Sequence, residues 1–93
     1  MEDFEFEWDD EKATSNLKKH GVSFEEGATI FNDPGIATIF DPDHSGDEDR
    51  YVSIGVSAQK SLLVVVHIFR EERIRLISCR KATSAERKNY ENK

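Results

Sequence analysis

The stretch Leu-Leu-Val-Val-Val-His-Ile-Phe, at residues 62–69, carries one polar side chain, His67. A short, β-branched run of this kind predicts a strand that is covered on both faces, and hence a central strand of a sheet. Four charged residues follow at 70–73, and a second β-rich run extends from Ile74 to Arg80. Two such runs joined by a few polar residues predict an antiparallel hairpin, whose turn type is open because the turn has no Gly or Asn.

A helix is predicted after the hairpin. Thr83 can cap the Glu86 amide while the Glu86 side chain reaches back to the start of the helix, which is the reciprocal arrangement of a capping box. The second half of the chain is therefore predicted to be strand, turn, strand and helix, with arginines concentrated from residue 70 onward.

The N-terminal third predicts a short strand and two helices. Charged and aromatic residues alternate over residues 5–8, as in a half-buried strand. Asp9 is placed to cap a first helix and Gly21 to end it in the left-handed conformation. Ser23 begins a second capping box, and the helix after it is predicted to run to about Phe31.

Two further strands are predicted at residues 36–40 and 51–57, separated by a polar loop of ten residues. The order is then strand, two helices, four strands in a meander, and a helix. This segregation predicts one α+β domain over residues 1–93, a two-layer fold. Its sheet is expected to be antiparallel, with four to five strands, two N-terminal helices and one C-terminal helix.

Composition limits the class of protein. The chain has 93 residues, 37% of them hydrophobic, which supports one modest core. No apolar run approaches the roughly 20 residues that span a bilayer, and the acidic N-terminus argues against a secretory signal. Cys79 is the single cysteine, so no internal disulfide can form, and we interpret it as a small core residue. We expect a cytoplasmic protein without membrane contact.

Charge is distributed unevenly. Residues 1–69 contain five Lys and Arg against fifteen Asp and Glu, a net charge of −10, whereas residues 70–93 contain eight against four, a net charge of +4. The total of −6 argues against a nucleic-acid partner, but the basic last quarter is compatible with a local anion site on an acidic body. It is equally compatible with a lattice of ion pairs across the sheet.

Alternation along the second run predicts which residues share a face. Ile74, Leu76, Ser78 and Arg80 are expected on one face, with Arg75 and Cys79 on the other. A shared pocket is nevertheless expected where the last strand meets the last helix. The residues predicted to converge there are Arg75, Arg80, Lys81, Arg87 and Tyr90.

A cluster of guanidinium groups suits a phosphodiester, because it binds the ground state and stabilises the charge that develops at phosphorus. Cleavage of RNA without a metal also needs a proton acceptor for the 2′-hydroxyl and a donor for the leaving 5′-oxygen. The candidates for these roles are His67, Glu86, Tyr90 and His44. Each has a structural alternative: a histidine in a central strand is more often a core residue, and Arg87 can pair with Glu91 at i, i+4.

The loop at 41–50 resembles half of a calcium-binding loop. Its acidic residues fit several positions of the EF-hand pattern, but position 12, which should be a bidentate Glu, is Val52. No Cys and His spacing supports zinc, and no glycine loop supports nucleotide binding. No metal or other cofactor is expected.

Several segments, taken in order, resemble one family, the BrnT toxins. The matching segments are Phe6-Glu7-Trp8-Asp9, residues 16–26, Asp43-His44-Ser45 with Glu48 and Arg50-Tyr51, residues 75–83, and Glu86-Arg87 with Tyr90. They cover almost the whole chain with the expected spacing. The resemblance implies a RelE-like α+β fold and a ribonuclease that inhibits translation. It also implies neutralisation by a BrnA-type antitoxin, usually in a 2:2 complex, and contact with DNA only through that antitoxin.

The resemblance also ranks the site residues. It implies Arg75, Arg80 and Lys81 as the first catalytic or phosphate-binding candidates, followed by His67, Glu86 and Tyr90, with Arg87 beside these. The RNA-binding candidates are Lys18, Lys19, His44, Arg50, Arg73 and Arg87. The acidic body departs from the basic surface from which a ribonuclease usually profits. The prediction is thus a metal-independent endoribonuclease toxin, and the alternative is a catalytically inactive homologue that binds a partner protein.

Overall fold

The computed structural model describes residues 4–92, which form one five-stranded sheet with three helices. The strands are β1 (Glu5–Glu7), β2 (Ala37–Asp41), β3 (Arg50–Val56), β4 (Leu62–Arg70) and β5 (Arg73–Lys81), and the helices are α1 (Asp10–His20), α2 (Phe24–Ala28) and α3 (Ser84–Glu91). The order across the sheet is β1-β5-β4-β3-β2. The α+β prediction is confirmed, with one correction: β1 pairs with β5 in parallel, so the sheet is mixed.

The predicted helix ends are confirmed where a side chain or a glycine determines them. Asp9 accepts hydrogen bonds from the Glu11 and Lys12 amides, and Gly21 ends α1 with φ +71°. The capping box of α3 has both of its hydrogen bonds. Ser23 caps α2, as predicted. The second half of the predicted capping box is replaced, because the Glu26 carboxylate accepts a hydrogen bond from the Ser57 hydroxyl at 2.7 Å. That helix ends at Ala28 and continues as a 3-10 turn to residue 32.

The hairpin of β4 and β5 contains two irregularities. Its two-residue turn places Glu71 and Glu72 at φ +51° and +68°, the left-handed pair of a type I′ turn. Farther along, Val66 pairs with Ser78 and His67 with Leu76, so Ile77 is an extra residue and forms a β-bulge.

The bulge overturns the predicted faces of β5. Beyond it the alternation is shifted by one residue, so Cys79 points to the same side as Ile74 and Leu76. Arg75 and Arg80, which simple alternation placed on opposite faces, lie on the same face. A register shift depends on the partner strand, which is why the alternation of β5 alone could not show it.

The core lies on the front face, defined as the face of the sheet that α2 covers, while α1 packs along the edge of β5. It consists of Val22, Phe24, Ile30, Leu63, Val65, Ile74, Leu76 and Cys79. Cys79 is a buried core residue, as predicted, and burial raises the pKa of its thiol to about 12. Gly27 of α2 lies so close that a Cβ there would be 2.8 Å from the Cys79 Sγ. A residue without a side chain therefore lets α2 approach β5.

The opposite, back face carries α3 and the basic residues of β5. A hydrogen bond of 2.5 Å from the Tyr90 hydroxyl to the Asp33 carboxylate ties the end of α3 to the loop before β2. The same carboxylate accepts hydrogen bonds from the Gly35 and Val56 amides, both at 2.8 Å. Among residues 4–92, no helix is long and apolar enough to cross a membrane.

Candidate functional site

The back face holds a basic cavity of about 390 Å³ at the end of the sheet where β3 begins and β4 ends. Arg50 opens β3, Arg70 closes β4, and Arg75 lies near the start of β5, so the three guanidinium groups come from three adjacent strands. Lys12 of α1 lines the same cavity. Four cationic side chains from four elements thus surround one space of a size that can hold a phosphate group.

Carboxylates neutralise part of this charge. Glu48 holds Arg70 in a bidentate pair, with oxygens 2.8 and 2.9 Å from Nη2, and the hydrogen bond from Arg70 lowers the pKa of Glu48. Arg75 donates to Glu7 at 3.2 Å. Arg50 forms no ion pair with any residue in the described range 4–92, although its charge also contributes to the lowered pKa of Glu48. Arg50 is therefore the arginine of the cavity that no carboxylate of this range neutralises, and Lys12 likewise forms no ion pair there.

A second cavity, of about 490 Å³, extends along α1 and has mixed charge, since Asp9 and Glu11 line it together with cationic side chains. Lys19 and His20 line it, and Lys12 and Ile77 line both cavities. We call the residues Arg50, Arg70, Arg75, Lys12 and Lys19 the basic groove. The residue of the β-bulge, Ile77, thus lies at the junction of the two cavities.

His44 is exposed in the loop between β2 and β3 and is oriented by a carboxylate. Its Nδ1 lies 2.9 Å from Asp41 Oδ2. Because an ionised carboxylate only accepts hydrogen bonds, the Nδ1 proton belongs on the histidine, which leaves Nε2 free to exchange a proton. Asp41 itself is the cross-strand partner of Arg50, so this histidine lies beside the basic cavity.

The cluster of cations predicted where β5 meets α3 does not form. Arg75 and Arg80 are the partners of Ile68 and Val64, four residues apart on β4, a separation of about 13 Å along the strand. Arg80 forms a bidentate pair with Glu86 at 2.7 and 2.8 Å. The prediction that Arg75, Arg80, Lys81, Arg87 and Tyr90 share one pocket is wrong, since the two arginines bind separate carboxylates.

Lys81 and Arg87 lie on the surface, whereas Glu86 and Tyr90 line one cavity of about 370 Å³ between α3 and the back face of the sheet. Lys81 is exposed at the end of β5, and Arg87 lies 3.9 Å from Glu91 on the surface of α3. The hydrogen bond from Arg80 is the main cause that lowers the pKa of Glu86 to about 2. The hydrogen bond to Asp33 raises the pKa of Tyr90. Both shifts make these residues poor proton carriers near neutral pH.

His67 is buried and does not reach the surface. Its Nε2 lies 2.7 Å from the Ser53 hydroxyl, which in turn is 2.7 Å from the Thr38 hydroxyl. Nδ1 has no hydrogen-bond partner among the described residues, and burial lowers the pKa of the ring to about 4. A neutral histidine packed edge-on against Phe31, with ring centroids 5.0 Å apart, is a core residue. Its place among the catalytic candidates has no geometric support.

The structure brings together only some of the predicted site residues. Arg50, Arg75 and Lys19 line the basic groove, and His44 lies beside it. Lys18 is exposed in the last turn of α1, and Arg73 pairs at the surface with Glu5 and Glu7. Sequence reasoning missed Arg70, Lys12 and His20. Position at the end of a predicted central strand was a signal for Arg70, whereas no local pattern indicated the other two.

A metal site has no support in the described part of the chain. No three of its His, Cys, Asp and Glu side chains form a group that could hold a metal ion. The acidic residues of the loop at 41–50 are instead divided between ordinary contacts and solvent. Asp41 contacts His44, and Glu48 contacts Arg70.

Comparisons with known proteins agree on the fold and the family. A crystal structure of the ribonuclease toxin BrnT from Brucella abortus superposes with a TM-score of 0.63 and 20% sequence identity, covering 88% of this chain and 100% of that one. At this identity the likeness shows the fold. A search of curated proteins found no match. The model of the BrnT family, described as ribonuclease toxins of type II toxin–antitoxin systems, matches residues 8–86. The chain therefore belongs to the BrnT family of ribonuclease toxins.

Proposed function

We propose that the chain is an endoribonuclease that cleaves RNA without a metal ion and thereby inhibits translation, and that a BrnA-type antitoxin neutralises it in a 2:2 complex. The observation that supports cleavage is the basic groove, in which Arg50, Arg70 and Arg75 surround one cavity. Membership of a family of type II toxins supports the antitoxin partner.

The cavity suits a backbone phosphate in its charge and donors. A guanidinium presents N–H groups in a planar fork that matches two phosphate oxygens, and three such groups stabilise the extra negative charge of the transition state. Glu7 and Glu48 hold Arg75 and Arg70 in place before the substrate binds. An entering phosphate adds to these partners or replaces Glu48, while Arg50 binds it without first losing a carboxylate.

The proton transfers require one acceptor and one donor. In the proposed reaction the 2′-hydroxyl loses its proton to a base, its oxygen bonds to phosphorus, the bond to the 5′-oxygen breaks, and an acid protonates that oxygen. We assign His44 to one of these transfers, because Asp41 orients its ring and Nε2 remains free. His20, at the α1 end of the groove, is the second candidate.

The remaining catalytic candidates have supporting roles in this proposal. Arg80 and Glu86 form a closed pair that fixes α3 to the sheet, and Glu86 also accepts the Thr83 amide hydrogen bond at 2.8 Å. Lys81, Arg73, Arg87 and Lys18 lie outside the cavity as exposed cations, where they attract RNA without contacting the reacting phosphate.

The test is cleavage of a labelled single-stranded RNA in EDTA by the purified protein. Arg50→Gln is the most informative variant because Arg50 has no carboxylate partner among residues 4–92, so its removal leaves no anion unpaired. We expect it to lower kcat/KM at least tenfold. Arg87→Gln, which removes the same charge from the exposed side of α3, is the matched control and should change the value less than twofold.

Two outcomes contradict the proposal. Intact RNA with the wild type in both EDTA and magnesium, together with normal growth on expression, rules out the enzyme. Equal losses in Arg50→Gln and Arg87→Gln show that only overall charge matters and that the cavity is not the site. His44→Asn should lower kcat with little effect on KM, and an unchanged kcat removes it from the mechanism.

A second function has one observation in its favour. Arg70, Arg73, Arg75 and Arg80 each bind a carboxylate, as expected of structural ion pairs in an inactive homologue. A protein that only binds an antitoxin would form the complex tightly but leave RNA intact and growth unaffected. The cleavage assay and a growth assay together separate the two functions.

A further inference from the structure

Aromatic side chains lie uncovered on the front face, at the same end of the sheet as the basic cavity. Phe40 of β2 is 48% exposed and Phe69 of β4 is 56% exposed. Tyr51 of β3 lies between them, with ring centroids 5.6 Å from Phe40 and 5.3 Å from Phe69. Phe4, 42% exposed, continues the surface through Phe31. We call Phe4, Phe40, Tyr51 and Phe69 the aromatic patch.

The contacts among the rings of the aromatic patch leave much of their surface exposed. Phe40 and Phe69 reach Tyr51 with T-shaped rings, a favourable geometry, yet each leaves about half of its surface in water. Exposed aromatic residues grouped in this way mark binding sites more often than single exposed hydrophobic residues do. This surface is not used by the proposed ribonuclease site, which lies on the back face.

Carboxylates around this end of the sheet indicate what the patch can bind. The loop at 42–49 and the turn at 71–72 join the strands here, and several of their acidic residues form no hydrogen bond or ion pair in the part of the chain that the structure describes. These residues are Asp43, Asp49, Glu71 and Glu72. Asp47, in the same loop, lines the basic cavity instead. The two arginines that flank the turn are already paired, Arg70 with Glu48 and Arg73 with Glu5 and Glu7.

This charge discriminates between possible occupants. At the patch, RNA would bring phosphates toward four carboxylates that lie outside the basic cavity, and a second copy of the chain would bring the same acidic rim, so both are repelled. A protein segment with Lys or Arg gains ion pairs at the rim and cation–π contacts with the rings, while its apolar residues cover the exposed aromatic surface.

We propose that the aromatic patch is the docking surface for an antitoxin segment that combines apolar side chains with Lys or Arg. This inference rests on the proposed function, in that it takes the partner to be an antitoxin. It places that partner on the face of the sheet opposite the basic groove. Inhibition then does not require the antitoxin to fill the cavity, since a bulky protein at the end of the sheet also blocks the approach of RNA.

The experiment measures the dissociation constant for the protein encoded by the reading frame beside that of this chain, purified separately. Phe40→Ser/Phe69→Ser should weaken binding at least tenfold, because aromatic anchors dominate the energy of such interfaces. Ile39→Ser is the matched control: Ile39 precedes Phe40 in the same strand, is 66% exposed, and points to the back face. It should change the dissociation constant less than twofold.

The ionic contribution is tested separately. Glu72→Gln should weaken binding about threefold at low salt and have no effect at 1 M salt, where screening removes the attraction. Glu25→Gln, an equal charge change on exposed α2, should have no effect at either salt concentration. Far-UV circular dichroism and urea midpoints establish that each variant is folded, and Phe69→Leu provides a milder substitution if the double variant is not.

Several results overturn the proposal. The first is an unchanged dissociation constant for Phe40→Ser/Phe69→Ser. The second is an equal loss of affinity in Ile39→Ser. The third is that the wild type forms no complex with the protein of the neighbouring frame. A loss of RNA cleavage with antitoxin binding retained assigns the patch to RNA, and a change only in self-association assigns it to a second copy. Cleavage measured without the antitoxin tests the proposed enzyme independently of all of these results.

Discussion

The Asn16 side chain of α1 pairs with both backbone groups of Cys79 in β5. Its Oδ1 accepts the Cys79 amide hydrogen at 3.0 Å, and its Nδ2 donates to the Cys79 carbonyl at 2.8 Å and to the Val22 carbonyl at 3.0 Å. Since β1 ends at Glu7 and pairs only with residues 73–75, the amide of Asn16 replaces a neighbouring strand farther along β5.

Replacing Asn16 should therefore destabilise the fold strongly. Asn16→Ala leaves a buried amide and two carbonyl groups without partners, and we expect a loss of about 2–4 kcal/mol in the free energy of unfolding. Urea denaturation measures it. Ser15→Ala, at the exposed neighbouring position, is the control and should change the value by less than about 0.5 kcal/mol. A small effect at Asn16 would mean that solvent reaches this edge of β5.

The close packing of α2 on β5 predicts that the stability cost of Gly27→Ala depends on the side chain at position 79. Gly27→Ala places a Cβ 2.8 Å from the Cys79 sulfur, so it should cost about 1–3 kcal/mol despite the better helix propensity of Ala. In a Cys79→Ala background the sulfur is absent, and the same change should cost clearly less. A double-mutant cycle measured in urea gives the difference, and additive effects would show that the sulfur is not the obstacle.

His67 should make stability depend on pH near neutrality. Its pKa is about 4 in the folded protein and near 6.5 when unfolded, so the unfolded chain binds more protons between these values. The free energy of unfolding should therefore decrease as pH falls from about 6.5 to 4, by about 3 kcal/mol at most. His67→Gln should remove this dependence. Equal pH profiles for the two proteins would contradict a buried neutral histidine.

The ion pair between Arg80 and Glu86 should make the free energy of unfolding depend on pH in a more acidic range than His67 does. The folded pKa of Glu86, about 2, lies below the usual value of 4.5, so its contribution is complete above pH 4.5 and is lost as pH falls toward 2. Because both side chains are about one-third exposed, we expect about 1 kcal/mol. The difference between wild type and Glu86→Gln in thermal unfolding should vanish at pH 2; a constant difference would indicate a packing effect.

The turn of the β4–β5 hairpin allows a stabilising substitution. Glu71 and Glu72 both have positive φ, a conformation that costs a residue with a Cβ about 1 kcal/mol relative to Gly. Glu72→Gly should therefore raise the free energy of unfolding by about 1 kcal/mol, or the melting temperature by about 4–8 °C for a domain of this size. A lower melting temperature would show that the Glu72 side chain contributes a contact of its own.

The sequence predicted those features of the fold that depend on residues close together in the chain. Asp9, Gly21 and Thr83 fixed the helix ends, and the apolar run at 62–69 identified the central strand, because caps and periodicity act within a few residues. The bulge at Ile77 and the parallel pairing of β1 depend on partner strands and could not be predicted from one segment at a time. Dependence on partner strands also explains why the residues of the candidate site were only partly predicted.

Arginines were predicted to be functional from their number, but their positions depend on the face to which each points. The bulge determines that face for Arg80. Arg50 and Arg70 reach the cavity because β3 begins and β4 ends beside it. Lys12 reaches the cavity only because α1 crosses the edge of β5 there. The cavity is a property of tertiary packing, which composition along the chain does not show.

The extra residue at position 77 can be lost without changing the side of the sheet that any other residue of β5 faces. If Ile77 is deleted, Leu76 is followed directly by Ser78, and regular alternation keeps Leu76 and Cys79 on the front face and Ser78 and Arg80 on the back face. The deletion would instead remove the side chain at the junction of the two cavities. A core that survives this shortening, beside a changed surface, is therefore the expected mutational pattern of this segment.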